Sequence, residues 1–146
     1  MNLSIEVSRK ISRAYNAMCK PLCKELELSQ TAFDILMFLG NNPNYNTAGE
    51  IVEIRRIKAN LVSVNVERLV REGYLLRKQV EGDRRKTGLI CTDKAKPIIE
   101  HGRKLQKAFT ERMFLNMDDD LRKAFSEATD IIEKNLNEIL KAENKL

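Results

Sequence analysis

Apolar residues recur at Leu3, Val7, Ile11, Ala14, Met18 and Leu22. That spacing of three and four predicts a long amphipathic first helix ending near Pro21 to Lys24. Ser29 is placed as an N-cap, with Leu28 before it and Phe33 four residues on as a hydrophobic staple. A second helix is expected from about Gln30 to Leu39, with Gly40 as its left-handed C-terminal residue. Asn41-Asn42-Pro43-Asn44 reads as a loop. Thr47-Ala48-Gly49-Glu50 fits a capping box and opens a short third helix through about Ile54. A fourth runs from about Lys58 to Glu72 and is closed by Gly73.

The period then changes. Tyr74 to Val80 and Gly88 to Thr92 read as two strands, joined by a polar loop from Glu81 to Thr87. Thr92 is placed to cap a fifth helix from about Asp93, with Pro97 in its second turn, where it removes a hydrogen bond. Asp118, Asp119 and Asp120 favour the start of a sixth helix. Leu121, Phe125, Ala128, Ile132, Leu136 and Ile139 give that helix a continuous apolar stripe. The expected fold class is mainly α with a small β-hairpin wing, a winged helix-turn-helix carrying terminal dimerisation helices. The chain divides into an N-terminal helix (1–28), a winged helix-turn-helix (29–92) and C-terminal helices (93–146). Each terminal helix needs cover for its apolar stripe. Packing on each other and on a second subunit would supply it, in a two-fold homodimer. Packing within one chain would also do so.

Composition narrows the classes. The chain has 146 residues, 42% hydrophobic and 32% charged. That suits one compact domain with helical extensions and excludes a disordered chain. No apolar run approaches the roughly 20 residues of a membrane span, so no membrane role is expected. The first ten residues lack an apolar signal core. Three cysteines, an odd number, argue against a disulfide framework and fit a reducing cytoplasm. The single histidine is His101, and the cysteines do not cluster with it, so no metal and no cofactor is expected. There is no phosphate loop, no nucleophile elbow and no nucleophile–base pair, so an enzyme is not expected.

The net charge of +5 is concentrated. Residues 55–86 hold ten Lys or Arg against four Asp or Glu; the rest of the chain holds 16 against 17. A focused basic surface is the footprint of a polyanion partner. Stepping about 100° per residue from Val66, the fourth helix buries Val62, Leu69 and Val70, with Ser63 at the edge. Its other face carries Asn60, Leu61, Val64, Asn65, Arg68 and Arg71. Asn suits adenine, aliphatic groups suit the thymine methyl, and Arg reaches guanine or phosphate. Asn60, Leu61, Val64 and Asn65, nearer the N-terminus, are weighted for bases; Arg68 and Arg71 are weighted for phosphates. Thr47, Lys58 and Ser63 complete that surface. The hairpin tip adds Asp83, Arg84, Arg85 and Lys86. Arginine is drawn to a narrow minor groove, and Asp83 would orient one of the guanidinium groups.

These residues carry a resemblance. The chain is similar to the MarR family of transcriptional regulators from about Leu28 to Ala95. The family's wing has Asp-x-Arg, then a Leu-Thr pair and a Gly three residues after the Thr. Asp83, Arg85 and Thr92 match; Cys91 replaces the Leu and Ala95 the Gly. Val66 to Leu75 resembles the end of the family's recognition helix. Lys58 stands where a capping Asp, Ser or Thr is usual. The resemblance implies a homodimer that binds a pseudopalindromic double-stranded DNA operator, most simply as a repressor. Recognition helices would enter major grooves and wings minor grooves.

It also implies a ligand or an oxidation event that respaces the two lobes. A small aromatic or lipophilic effector would meet Tyr15, Met18, Met37, Phe38, His101 and Phe109, each of which also fits a packing role. Cys19 and Cys23, one turn apart, are the redox candidates, given an exposed and stabilised thiolate. The alternative from another class is a winged-helix protein-interaction module, with Leu61 and Val64 against a protein partner.

Overall fold

The structure is a computed structural model. It describes residues 5–145, except for the side chains of residues 83–86. Leu3 of the first apolar stripe lies outside the described residues. The chain falls into two compact units, Met1–Phe109 and Thr110–Leu146.

The first unit holds four helices, a hairpin and most of a fifth helix. α1 (Ile5–Glu25) continues through Pro21 and ends one turn later. Its end is a left-handed cap: Glu27 has φ +55°, and the Leu28 amide donates to the Cys23 carbonyl at 2.9 Å. α2 (Gln30–Asn41) starts as expected, with the Ala32 amide donating to Ser29 Oγ at 3.0 Å. Leu28 and Phe33, the staple pair, are both buried. Seven residues of α2 are buried, so this helix is the centre of the core.

Gly40 does not end α2 as expected. It lies inside the helix, and the structure gives a packing reason for glycine there. A Cβ on Gly40 would come within 2.7 Å of Ile99 Cγ2. The C-terminal carbonyls are met by two residues: Asn42, the C-cap, donates its backbone and side-chain N–H to Phe38 O, and Arg103 donates to Gly40 O at 2.7 Å and to the Asn41 side chain at 3.0 Å.

α3 (Ala48–Arg55) is capped by Thr47, which accepts from the Glu50 amide and donates to its carboxylate at 2.8 Å. α4 (Ala59–Arg71) buries Val62, Val66 and Leu69, with Val70 half-buried. Lys58 is its N-cap and makes no side-chain capping bond. Gly73 (φ +85°) closes it, a conformation that favours glycine.

β1 (Leu75–Val80) and β2 (Asp83–Cys91) pair antiparallel, Leu75 opposite Cys91 and Arg77 opposite Leu89. The expected loop from Glu81 to Thr87 is shorter than the sequence suggests. The turn is Glu81-Gly82, and β2 begins at Asp83. The register then shifts between Gln79–Thr87 and Val80–Asp83, so the extra residues become a bulge rather than a loop. The segment before α3 joins this sheet. The Leu89 amide donates to Asn46 O at 2.6 Å, and Thr47 bridges Gly88.

Thr92 does not cap α5 (Lys96–Met113), which begins three residues later than expected. Its hydroxyl donates to Gly73 O at 2.6 Å and ties the hairpin back to the end of α4. Pro97 thereby falls in the first turn of α5, where no amide is needed. Gly102 lets α5 approach α2; an added Cβ would overlap Met37 Sδ and touch Phe33.

The second unit contains α6 (Asp119–Glu143), capped by Asp118 through the Leu121 amide at 2.8 Å. Phe114 and Phe125 meet edge to face at 5.4 Å, and Arg122 donates to Phe114 O at 3.1 Å. No residue of α6 is buried in this chain, and Leu121, Phe125, Leu136 and Ile139 of the predicted stripe are exposed. Among the described residues no helix is long and apolar enough to cross a membrane.

Candidate nucleic-acid interface

The outer face of α4 is built from the residues that its inner face leaves over. Val62, Val66 and Leu69 anchor the helix on α2 and α3. That burial turns Asn60, Leu61, Val64 and Arg71 outward. Leu61 is 44% exposed and Val64 67%, an unusual position for two aliphatic residues on a helix in a charged surface. Asn60 is exposed, and its Oδ1 accepts from the Leu61 amide at 3.0 Å. Ser63 is exposed, as is Lys58 at the head of the helix. Thr47 is engaged as the α3 cap.

Two members of the predicted face are engaged within the fold. Asn65 accepts from Ser29 Oγ at 2.8 Å and donates to Leu61 O at 2.8 Å. Arg68 donates to Glu27 O at 2.6 Å and to Glu72 Oε1 at 3.0 Å. Sequence periodicity places both on the outer face; Leu61 and Glu72 are partners within the helix, and only tertiary contacts reveal Ser29 and Glu27. Ser29 was visible as a cap, but nothing in sequence marks a bond between residues 36 positions apart.

The hairpin stands beside this helix, held by Arg77 of β1, whose guanidinium meets Glu67 of α4 at 2.8 Å. The side chains of Asp83, Arg84, Arg85 and Lys86 lie outside the described residues. Their backbone is the start of β2 and its bulge. Two further cations border the interface and were missed as individual site residues. Arg56, in the turn before α4, is exposed with φ +55°. Arg55 sits 3.9 Å from Asp34. Both were legible only as part of the basic block.

The effector candidates are dispersed. Tyr15 and Phe109 touch edge to face at 5.4 Å, and Gln106 donates to the Tyr15 hydroxyl at 3.0 Å. Met18 is half-buried. Met37 is core, against Gly102, and Phe38 stacks on Tyr45 at 6.2 Å. His101 is exposed. An open groove of about 640 Å³ lies on another face of α1, with Cys23 and Leu28 as floor and Arg13, Lys20 and Lys24 at the rim.

The two redox candidates do not meet the conditions set from sequence. Cys19 and Cys23 are both buried, and burial pushes both thiols up, Cys23 to about 11. The neighbouring lysines do not offset this, because removing the thiolate from water dominates. Asp34 is raised for the same reason, only partly offset by Gln30, which donates to it at 2.9 Å, and by Arg55.

A helix-turn-helix, a mixed exposed face on α4 and a hairpin tied to it by Arg77 invite comparison with known proteins. Residues 26–86 match the model of the MarR family. Over this segment the chain is similar to the MarR family. Solved structures agree in fold over most of the chain. A MarR transcriptional regulator from Methanosarcina mazei Go1 is 20% identical, covers 92% of this chain and 96% of its own, and superposes with a TM-score of 0.76. A MarR protein from Peptoclostridium difficile is 26% identical, with 97% and 94% covered and a TM-score of 0.76. A MarR family transcriptional regulator from Listeria monocytogenes, complexed with a 26mer DNA, is 18% identical, with 93% and 90% covered and a TM-score of 0.80. No curated protein matches the sequence. The MarR segment holds α2, α3, α4 and the hairpin through the tip, so both halves of the candidate interface fall within it.

Proposed function

We propose that this chain is a DNA-binding transcription regulator of the MarR type, not an enzyme, acting as a homodimeric repressor on a pseudopalindromic operator. The observation that carries the reading is the outer face of α4. It holds Leu61 and Val64 exposed between Asn60 and Arg71, beside a basic hairpin. Water is a poor partner for those aliphatic groups, whereas a major groove offers thymine methyls at that position. Asn60, Leu61 and Val64 read bases. Arg71, Lys58 and the wing residues Arg84, Arg85 and Lys86 meet phosphates or the minor groove, with Asp83 orienting an arginine. The 26mer DNA held by the Listeria relative supports the same partner.

Dimerisation rests on the uncovered apolar residues of the terminal helices. Ile5, Val7 and Ile11 of α1 and the stripe of α6 are exposed in a single chain, more apolar surface than a monomer usually leaves in water. A small lipophilic effector releases the operator. Its binding region includes the Tyr15–Phe109 contact, with Met18 beside it on α1. Buried, raised thiols favour a ligand over oxidation as the input.

The test is selection of bound duplexes from a random pool by purified reduced protein. Enrichment of an inverted repeat, with half-sites about one helical turn apart, supports the reading. No enrichment at low or physiological salt refutes it. The second reading, a protein-interaction module, is favoured by one observation. Leu76 and Ile90 are opposite each other on the hairpin and 58% and 43% exposed. That reading requires a pool without enrichment and a partner lost on Leu76→Ser.

A further inference from the structure

We infer that Arg68 and Asn65 are positioning residues, which clasp the reading helix to the end of α1 and so set the separation between half-sites that the dimer accepts. The inference rests on the DNA-binding reading above and departs from the expectation that both residues touch DNA.

The clasp has two strands. The Arg68 guanidinium reaches back 41 positions to the Glu27 carbonyl at 2.6 Å, while its Nε is held by Glu72 at 3.0 Å. One turn earlier on α4, Asn65 Oδ1 accepts from Ser29 Oγ at 2.8 Å. Each clasp residue is committed twice. Asn65 also donates to Leu61 O, and Ser29 also caps α2 through the Ala32 amide. The Glu27 carbonyl is presented by a left-handed residue that closes α1. Leu28, next to it, is buried in the core. The junction between α1 and α2 is therefore pinned from below by Leu28 and from the side by α4.

The consequence is mechanical. α1 runs 21 residues from its exposed apolar start to this junction, about 30 Å at the helical rise. A helix of that length, uncovered at one end and clasped to the reader at the other, is a lever. Movement of the subunit-facing end carries α4 with it as long as the clasp holds. To reach a phosphate, this arginine would have to give up two hydrogen bonds that it already makes through Nε and Nη2.

The experiment uses the full-length dimer and the selected operator, with the half-site spacing lengthened or shortened by one base pair. Wild type, Arg68→Ala, Asn65→Ala and Arg71→Ala are titrated against each duplex by fluorescence anisotropy at several salt concentrations, after thermal melts show that each variant is folded. Arg68→Ala is expected to bind the selected spacing about tenfold more weakly, the effect of one lost charged hydrogen bond, while the shifted spacings change little. Its salt slope stays at the wild-type value, whereas Arg71→Ala lowers the slope by about one. Asn65→Ala is expected to flatten the spacing preference in the same way. Merely structural damage would weaken all spacings equally.

A salt slope lowered in Arg68→Ala, with all spacings weakened alike, overturns the inference and returns Arg68 to the phosphates. Unchanged spacing preference in both variants also overturns it. Amide hydrogen exchange on the free protein is a second arm. In Arg68→Ala, exchange is expected to quicken at residues 26–29 and along α4 together. Absence of that joint response refutes the clasp without reference to DNA. If wild type selects no duplex, the regulator reading falls, and the exchange arm alone decides whether the clasp exists.

Discussion

The same substitution two positions apart on α4 separates reading from folding. Val64 is 67% exposed and Val66 3%. Replacing Val66 with Ala removes two buried methyl groups, about 0.8 kcal/mol each in transfer, with a further cost for the space left behind. A loss of about 2 kcal/mol is expected. At Val64 there is little burial to lose, and Ala is the better helix former by roughly 0.5 kcal/mol. Val64→Ala should therefore leave stability unchanged or slightly raised. On the proposed function its effect falls on DNA: loss of an apolar contact with a thymine methyl, about 1 kcal/mol or roughly fivefold in affinity. Urea unfolding followed by circular dichroism gives the stabilities, and anisotropy with the selected operator gives the affinities. Both measurements are needed on both variants. A stability loss above about 1 kcal/mol in Val64→Ala would mean that Val64 packs on something this chain alone does not show. Unchanged affinity in a folded Val64→Ala would refute its place in the reading face.

Four further outcomes are expected. Asp34 is raised by burial, so its contribution to stability is full below the unfolded carboxylate value, about 3.9, and is lost as pH rises through the raised folded value; Asp34→Asn should flatten that decline in a pH series of urea midpoints, and an unaltered slope counts against it. Gly102→Val adds three carbons, the first of them a Cβ that overlaps Met37 and touches Phe33, and should cost about 1–3 kcal/mol of stability, read as a lower urea midpoint; a neutral result would show that Met37 moves aside freely. With a pKa near 11, Cys23 holds only about one part in a thousand as thiolate at pH 8; iodoacetamide should label Cys19 and Cys23 only on unfolding, and operator affinity should survive diamide. Arg85→Ala should weaken operator binding and lower its salt slope by about one; an unchanged slope removes the wing arginine from the interface.

Much of the fold was legible because local rules decide it. Ser29, Thr47 and Asp118 cap their helices through side-chain oxygens, and Gly73 ends α4 through a φ that other residues avoid. Each needs only near neighbours in sequence. The buried face of α4 followed from its period, because one stripe of Val and Leu has one way to face a core. The departures came where a distant residue intervenes. Gly40 looks like a helix end and is instead the gap that Ile99 fills, with Asn42 as the cap and Arg103 on the Gly40 carbonyl. Thr92 looks like a helix cap and is a tie to Gly73. The hairpin loop looked long because a bulge has the same polar composition as a turn.

The sequence by itself determined the class of the protein. The helical and strand periods, the charge block at residues 55–86 and the Asp83-Arg84-Arg85 wing are properties of neighbours, and they survive any arrangement of the remainder. Tertiary structure decided which polar groups are free to act. Asn60 and Arg71 face outward, while Asn65 and Arg68, on the same arc of the same helix, are held by Ser29 and Glu27. It also decided that Cys19 and Cys23 are buried, with thiols that burial pushes up. Periodicity reports which side of a helix a residue is on. Whether another segment waits there, and takes its hydrogen bonds out of use, depends on contacts between residues far apart in the chain.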